Sequence, residues 1–171
     1  MSRPVIVLMG SDSDLPIVRN CLETLDRFAI GYDVRVLSAH RTPRQFHEFA
    51  ATLDASGYQV ILGAAGRAAH LAGVLASLTV KPVIAIPIES GSLQGIDALY
   101  STLQMPSGIP VATMALGKAG AVNAGVFAAQ VLALHDPALR QRLVTYKKEL
   151  ADQVIERDRQ VQVEFAQQRK A

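Results

Sequence analysis

Three short segments of the chain join groups that grip an anion to groups that move a proton. Gly10-Ser11-Asp12-Ser13-Asp14 follows an apolar run, Val5–Met9, and precedes a helical pattern. Gly10 lets the backbone turn sharply. Ser11 and Ser13 offer hydroxyls beside the free N–H groups of a helix N-terminus, an arrangement suited to phosphate. Asp14 either caps that helix or accepts hydrogen bonds from sugar hydroxyls. A carboxylate would repel a phosphate, so a ligand role puts Asp14 on the ribose side. The segment has neither the glycine spacing of the dinucleotide-binding turn nor the Gly-Lys-Ser/Thr ending of the P-loop.

The second segment is Ser38-Ala39-His40-Arg41. An imidazole is suited to proton transfer near neutral pH. The neighbouring guanidinium is a fixed cationic fork that matches phosphate geometry. The third segment, Gly63-Ala64-Ala65-Gly66-Arg67-Ala68-Ala69-His70, carries little side-chain bulk. Small residues admit a ligand close to the backbone, and tight strand-helix packing selects them too. His70 either touches the ligand or caps the helix that follows, with the ligand contact the preferred reading.

These segments work together only if the fold brings them together. Short apolar runs at Val5–Met9, Asp33–Leu37, Gln59–Ala64, Pro82–Ile86 and Ile109–Leu116 alternate with helical spacings. Ile17, Val18, Cys21, Leu22, Leu25 and Phe28 form one helical stripe, and Phe46, Phe49, Ala50 and Leu53 another. The second helix is expected to start with Thr42 as N-cap, Pro43 at its first position and Gln45 closing a capping box, and to stop near Gly57. Such alternation implies right-handed crossovers and a parallel sheet covered on both faces. Without the dinucleotide glycines, the expected fold is α/β and flavodoxin-like: three αβα layers and a five-stranded parallel sheet of order 2-1-3-4-5. Ligands bind such sheets beyond the carboxyl ends of the strands, near the switch point. There the loops after the first three strands meet.

A long helix closes the chain, with Asp136 as its cap before Pro137. No glycine or proline interrupts it afterwards, so it is expected to run about 30 residues, or about 45 Å at 1.5 Å per residue. The domain is too small to cover that length. Residues 1–135 are therefore expected to form the catalytic domain, and residues 136–171 an arm packing on a neighbouring subunit.

Composition narrows the class. Half of the 171 residues are hydrophobic and 19% are charged, which describes one ordered globular domain. The formal charge is +2, but eight of the 17 Lys and Arg residues follow Leu139 and are interspersed with acids. That pattern describes a solvated helix face rather than a nucleic-acid footprint. The single cysteine, Cys21, excludes an intrachain disulfide and reads as a small core residue of a protein kept in a reducing compartment. No signal peptide is visible, and no apolar run approaches the ~20 residues of a membrane span. A soluble, cytoplasmic protein without membrane or nucleic-acid partners is expected. His47 and His135 show no metal spacing. Gly117-Lys118-Ala119-Gly120 lacks the hydroxyl of a P-loop, and no nucleophilic triad is suggested. The residues favour proton transfer without a metal or a covalent intermediate.

Six segments in order, MGSDSD (9–14), SAHRTP (38–43), AGRAAHLAG (65–73), SGSLQGIDALYS (90–101), QMPSGIPVAT (104–113) and GKAGAVNA (117–124), closely resemble the PurE family of purine biosynthesis, in its bacterial carboxyaminoimidazole ribonucleotide mutase class. They run from residue 9 to residue 124 of the 171. The resemblance implies a homo-octamer with active sites shared between subunits, a phosphoribosyl aminoimidazole nucleotide as substrate, and no cofactor or metal. The implied reaction moves a carboxylate from the exocyclic nitrogen to a ring carbon through retained CO2. By motif, Ser11, Asp14 and Arg41 bind the nucleotide, with Arg41 and the serine loop, Ser13 included, toward the phosphate. His40 becomes the proton shuttle, and Ser38, Gly66, Ala69, His70 and Leu71 line the base and carboxylate pocket. Two positions depart from the family pattern: Arg67 replaces a glycine and Ala72 a proline. An arginine there is similar to the related carboxylases, which take aminoimidazole ribonucleotide and free CO2, but Ala68-Ala69-His70-Leu71 keeps the mutase form. The alternatives are that carboxylase reaction and a non-catalytic nucleotide-binding or receiver-like module on the same fold. A receiver would end its third strand in an acid, where this chain has Ala64-Ala65-Gly66.

Overall fold

The computed structural model describes residues 3–168. In chain order its elements are β1 (Val5–Met9), a 3-10 turn (Asp12–Asp14), α1 (Leu15–Arg27), β2 (Tyr32–Val36), α2 (Pro43–Ala50), β3 (Val60–Gly66) and α3 (Leu71–Leu78). There follow β4 (Val83–Ile88), α4 (Ile96–Leu103), β5 (Ala112–Thr113), α5 (Gly117–Leu132) and α6 (Pro137–Gln168). All five strands are parallel, in the order β2-β1-β3-β4-β5, the flavodoxin-like arrangement.

Burial explains the strand order. Every residue of β1 and β4, and the first five of β3, are buried, as continuous apolar runs in a doubly covered parallel sheet must be. By contrast β2, Tyr-Asp-Val-Arg-Val, is charged and partly exposed, and it lies at the edge. Ile6 and Leu8 on one sheet face join Phe46 and Leu53, together with Leu71 and Leu75 of α3, in a single apolar cluster. Val5, Val7 and Met9 alternate onto the other face, where α1 packs with α5. The two helices approach closely because Gly125 has no side chain: a Cβ there would fall 2.8 Å from the Thr24 Cβ.

Three local expectations are corrected. Thr42 stands at the N-cap of α2, but its side chain makes no capping bond. Its hydroxyl accepts from the Ser38 amide and donates to the Ser38 carbonyl, each at 3.0 Å, so it is already engaged. The capping box lies instead at the 3-10 turn, where Ser11 and Asp14 supply its two halves. Helix α2 ends at Ala50 rather than near Gly57, because the Thr52 hydroxyl takes the Phe49 carbonyl and the amides of Thr52 and Leu53 tighten onto residues three back. Leu53 nevertheless stays fully buried, completing the predicted stripe. Finally, β5 spans two residues rather than eight. Pro106, Gly108 with φ +91° and Pro110 keep the preceding backbone out of the ladder.

The chain divides into two compact units between Leu132 and Ala133. The second contains α6. Asp136 caps it as expected, its Oδ1 accepting from the Leu139 amide at 2.9 Å. The helix has 32 residues, about 48 Å at 1.5 Å per residue, and Val144, Leu150, Val154 and Ile155 are exposed along it. No helix among the described residues is long and apolar enough to cross a membrane.

Candidate active site

Strand register assembles the site. Met9 pairs with Val36 on one side and Ala64 on the other, so β1, β2 and β3 deliver their loops at one level. The Leu37 amide donates to the Met9 carbonyl and the Gly10 amide to the Ala64 carbonyl, extending the ladders to the start of each loop. On the far side of β3, Gly66 pairs with Ile88, which brings the loop after β4 alongside. Between them lies a cavity of about 370 Å³.

The loop after β1 is held by its own polar groups. Ser11 takes an extended backbone, its Oγ accepts from the Ser13 amide at 3.3 Å, and its amide donates to Asp14 Oδ2 at 3.2 Å. The Ser13 hydroxyl donates to Ser11 Oγ at 2.9 Å. Asp14 is 7% exposed. Burial pushes its carboxyl above the ordinary carboxylate range, opposed by the Ser11 amide, the Arg41 charge and the Ser13 side chain.

The loop after β2 is pinned through Ser38, whose Oγ accepts from the Arg41 amide at 3.1 Å. Arg41 crosses to the first loop, where its Nη2 donates to the Gly10 carbonyl at 2.9 Å. His40 projects to the third loop. Its Nε2 lies 3.0 Å from Nδ1 of His70, with the rings edge to face at 5.0 Å between centroids. His70 is the N-cap residue of α3 but makes no side-chain capping bond, so its ring is committed to His40 rather than to the helix.

The cavity is lined by seven of the residues expected from sequence: Ser11, Ser13, Asp14, Ser38, His40, Gly66 and Leu71. Arg41 and His70 are exposed and outside the lining, tied to Gly10 and His40. Ala69, expected to line the pocket, is fully buried and presents no surface to a ligand. It packs the wall instead. Among the described residues no cluster of three His, Cys, Asp or Glu side chains is placed to hold a metal ion. Cys21 is buried with its thiol pushed up to about 12, a core residue and no nucleophile.

The family model for AIR carboxylase matches residues 4–153. The chain belongs to the AIR carboxylase family. It is similar to the N5-carboxyaminoimidazole ribonucleotide mutase of Escherichia coli (strain K12), at 47% identity over 152 residues, 89% of this chain and 90% of that one. The protein of the same name from Brucella melitensis biotype 1 is 47% identical over 157 residues, covering 92% and 97% of the two chains. Among solved structures, a crystal structure of Treponema denticola PurE is similar with a TM-score of 0.83 at 32% identity, over 91% of this chain and 96% of that one.

Of the lining residues of this AIR carboxylase family chain that were not among the expected site residues, two carry polar side chains, Arg67 and Ser90. The signal for Ser90 was available. In the order 2-1-3-4-5 the loop after the fourth strand adjoins the third, and that loop opens Ser90-Gly91-Ser92. A Cβ on Gly66 would fall 2.3 Å from Ser90 Oγ, so the two loops interlock through the missing side chain. The two departures from the family pattern also separate here. Ala72 is buried, with its Cα and Cβ each 3.2 Å from where a Gly63 Cβ would stand, a packing position, whereas Arg67 faces the cavity.

Proposed function

We propose that this chain is an N5-carboxyaminoimidazole ribonucleotide mutase of purine biosynthesis. It converts N5-carboxyaminoimidazole ribonucleotide to 4-carboxy-5-aminoimidazole ribonucleotide. The observation that carries the reading is the convergence of the hydroxyl loop at Ser11 and Ser13 with the His40 ring around one cavity, in a chain of this family.

The parts divide by chemistry. Ser11, Ser13 and Arg41 take the phosphate, which meets hydroxyls, amides and a guanidinium. Asp14 accepts from ribose hydroxyls. Ser38, Gly66, His70 and Leu71 surround the heterocycle and its carboxylate. In the reaction the bond from the exocyclic nitrogen to the carboxylate carbon breaks, CO2 leaves, and His40 gives its proton to that nitrogen. The ring carbon then attacks CO2, and His40 recovers a proton from that carbon as the ring regains aromaticity. Protons and carboxylate balance, so the net change is an isomerisation. Water must be excluded while CO2 is free, because its escape would uncouple the two halves.

The protein works in the cytoplasm, without a cofactor, as a homo-octamer whose sites are completed by neighbouring subunits. Residues 1–135 carry the chemistry and residues 136–171 form the arm that packs on a neighbour. The exposed apolar residues of α6 support that reading. Truncation at Arg157 followed by sizing tests the arm, and a truncated protein that stays octameric overturns it. The reaction is tested by supplying either N5-carboxyaminoimidazole ribonucleotide or aminoimidazole ribonucleotide with bicarbonate at low concentration. Consumption of the first supports the mutase. Consumption of only the second makes the protein a carboxylase, and binding without consumption of either makes it a nucleotide-binding module.

A further inference from the structure

Arg67 occupies a backbone position that ordinarily belongs to glycine. Its φ is +55°, in the left-handed region that side chains with a Cβ disfavour. Such a conformation persists only where its surroundings hold it, and it concentrates at functional sites. Here the neighbours are arranged around the side chain. The side chain lies against Gly91, at φ +69°, where a Cβ would stand in ordinary contact, 3.4 Å from Arg67 Nε. The adjacent Gly66 gives its space to Ser90.

The result is an arginine on the cavity wall. Arg67 is exposed, lines the cavity and, among the described residues, has no carboxylate paired with it. Arg41 differs, because it is bound to the Gly10 carbonyl. The sheet order separates the two cations. Arg41 joins the β2 and β1 loops, beside the hydroxyls of Ser11 and Ser13, whereas Arg67 lies between the β3 and β4 loops. His40 reaches toward the β3 side through His70.

A cavity with one arginine on its wall, and a second tied to the Gly10 carbonyl beside the hydroxyl loop, suits a ligand with two anionic ends. The nucleotide of the proposed reaction has two, a phosphate ester and the carboxylate that moves. We propose that Arg67 is a specificity-determining residue that recognises this carboxylate, while the hydroxyl loop and Arg41 take the phosphate. The assignment rests on the mutase reading given above. A planar fork matches a carboxylate bidentately, both before the transfer on the nitrogen and after it on the adjacent ring carbon.

Two nucleotides identical except for that group provide the test: 4-carboxy-5-aminoimidazole ribonucleotide and aminoimidazole ribonucleotide. Their Kd values are measured by calorimetry on the full chain, wild type, Arg67→Gly and Arg67→Lys. In Arg67→Gly the carboxylated nucleotide is expected to bind about 10- to 100-fold more weakly, the loss of a charge-assisted contact, and the other within about twofold of wild type. Arg67→Lys, a point charge without the fork, falls between. Equal loss for both nucleotides overturns the assignment, because the arginine then reads the phosphate or supports the loop. No loss for either overturns it as well. Thermal unfolding of Arg67→Gly controls for folding, since glycine suits the backbone and the midpoint should not fall. Wild-type turnover separates this inference from the reading beneath it. A protein that discriminates the two nucleotides through Arg67 yet does not isomerise loses its mutase assignment and keeps the contact. One that binds neither loses both.

Discussion

His40 Nε2 and His70 Nδ1 stand 3.0 Å apart across two loops separated by thirty residues of chain. A hydrogen bond between them needs one nitrogen with its proton and the other with a free lone pair, so the pair fixes which tautomers are compatible. The proposed shuttle therefore has an orienting partner. His40→Asn should lower turnover by about 10²- to 10⁴-fold, the usual contribution of a positioned acid-base group, and leave nucleotide Kd within a few-fold. His70→Ala should cost less, about tenfold in kcat. The double variant should be no slower than His40→Asn alone, because both changes remove the same function. Unchanged turnover in His40→Asn ends the shuttle assignment.

Asp14 links the site to acid stability. Its carboxyl titrates higher in the folded protein than in the unfolded chain because of burial, so folding favours its protonated form. The contribution of this group is therefore most favourable at low pH. It is lost as pH rises from the unfolded value through the folded one, and at neutral pH the cost of burying the charge remains. Asp14→Asn keeps an oxygen for the Ser11 amide and removes the charge. It should raise stability at pH 7 by about 0.5–2 kcal/mol. The gain should shrink as pH falls through the carboxylate range. Nucleotide affinity should drop about tenfold if Asp14 holds ribose hydroxyls. Urea titrations at several pH values and a binding isotherm check both halves.

Gly66 and Ser90 should behave as a coupled pair. A methyl on Gly66 would overlap Ser90 Oγ, so Gly66→Ala should destabilise by about 1–3 kcal/mol and impair nucleotide binding. Adding Ser90→Gly makes room and should restore part of the loss, a coupling of about 0.5–3 kcal/mol in a double-mutant cycle. Strict additivity would mean that the loops relax independently.

Arg67→Gly should stabilise the protein while impairing its selectivity. Relief of a left-handed, Cβ-bearing residue is worth about 1 kcal/mol. For a chain of this size that corresponds to a rise of about 2–4 °C in Tm. A lower Tm would show that the Arg67 side chain, lying over Gly91, is needed to hold the loops.

Much of this arrangement was legible before the structure. The runs at Val5–Met9 and Gln59–Ala64 read as strands between helical patterns, and the strand order followed from the missing dinucleotide glycines. From there the meeting of Ser11, Ser38, His40 and Gly66 was a matter of topology. What sequence did not convey was local competition for hydrogen bonds. Thr42, Pro43 and Gln45 have the pattern of a capping box, but the Ser38 peptide claims the Thr42 hydroxyl first. Ala69 sits in the right loop, yet only packing decides which small residues face inward. Ser90 lies on a fourth loop that the same strand order brings beside the third, so its place follows from topology rather than from a motif. The conformation of Arg67 is not given by its residue type, since a positive φ is imposed on it by its surroundings.

Donors on the first three loops of this cleft already serve one another. The Ser13 amide leans on Ser11, Arg41 on Gly10 and His40 on His70. Docking is therefore an exchange of partners, and a molecule that reaches one loop must break bonds there with nothing gained at the others. Small pieces of the nucleotide, such as ribose 5-phosphate or a free imidazole carboxylate, should consequently associate far more feebly than their share of its atoms would suggest.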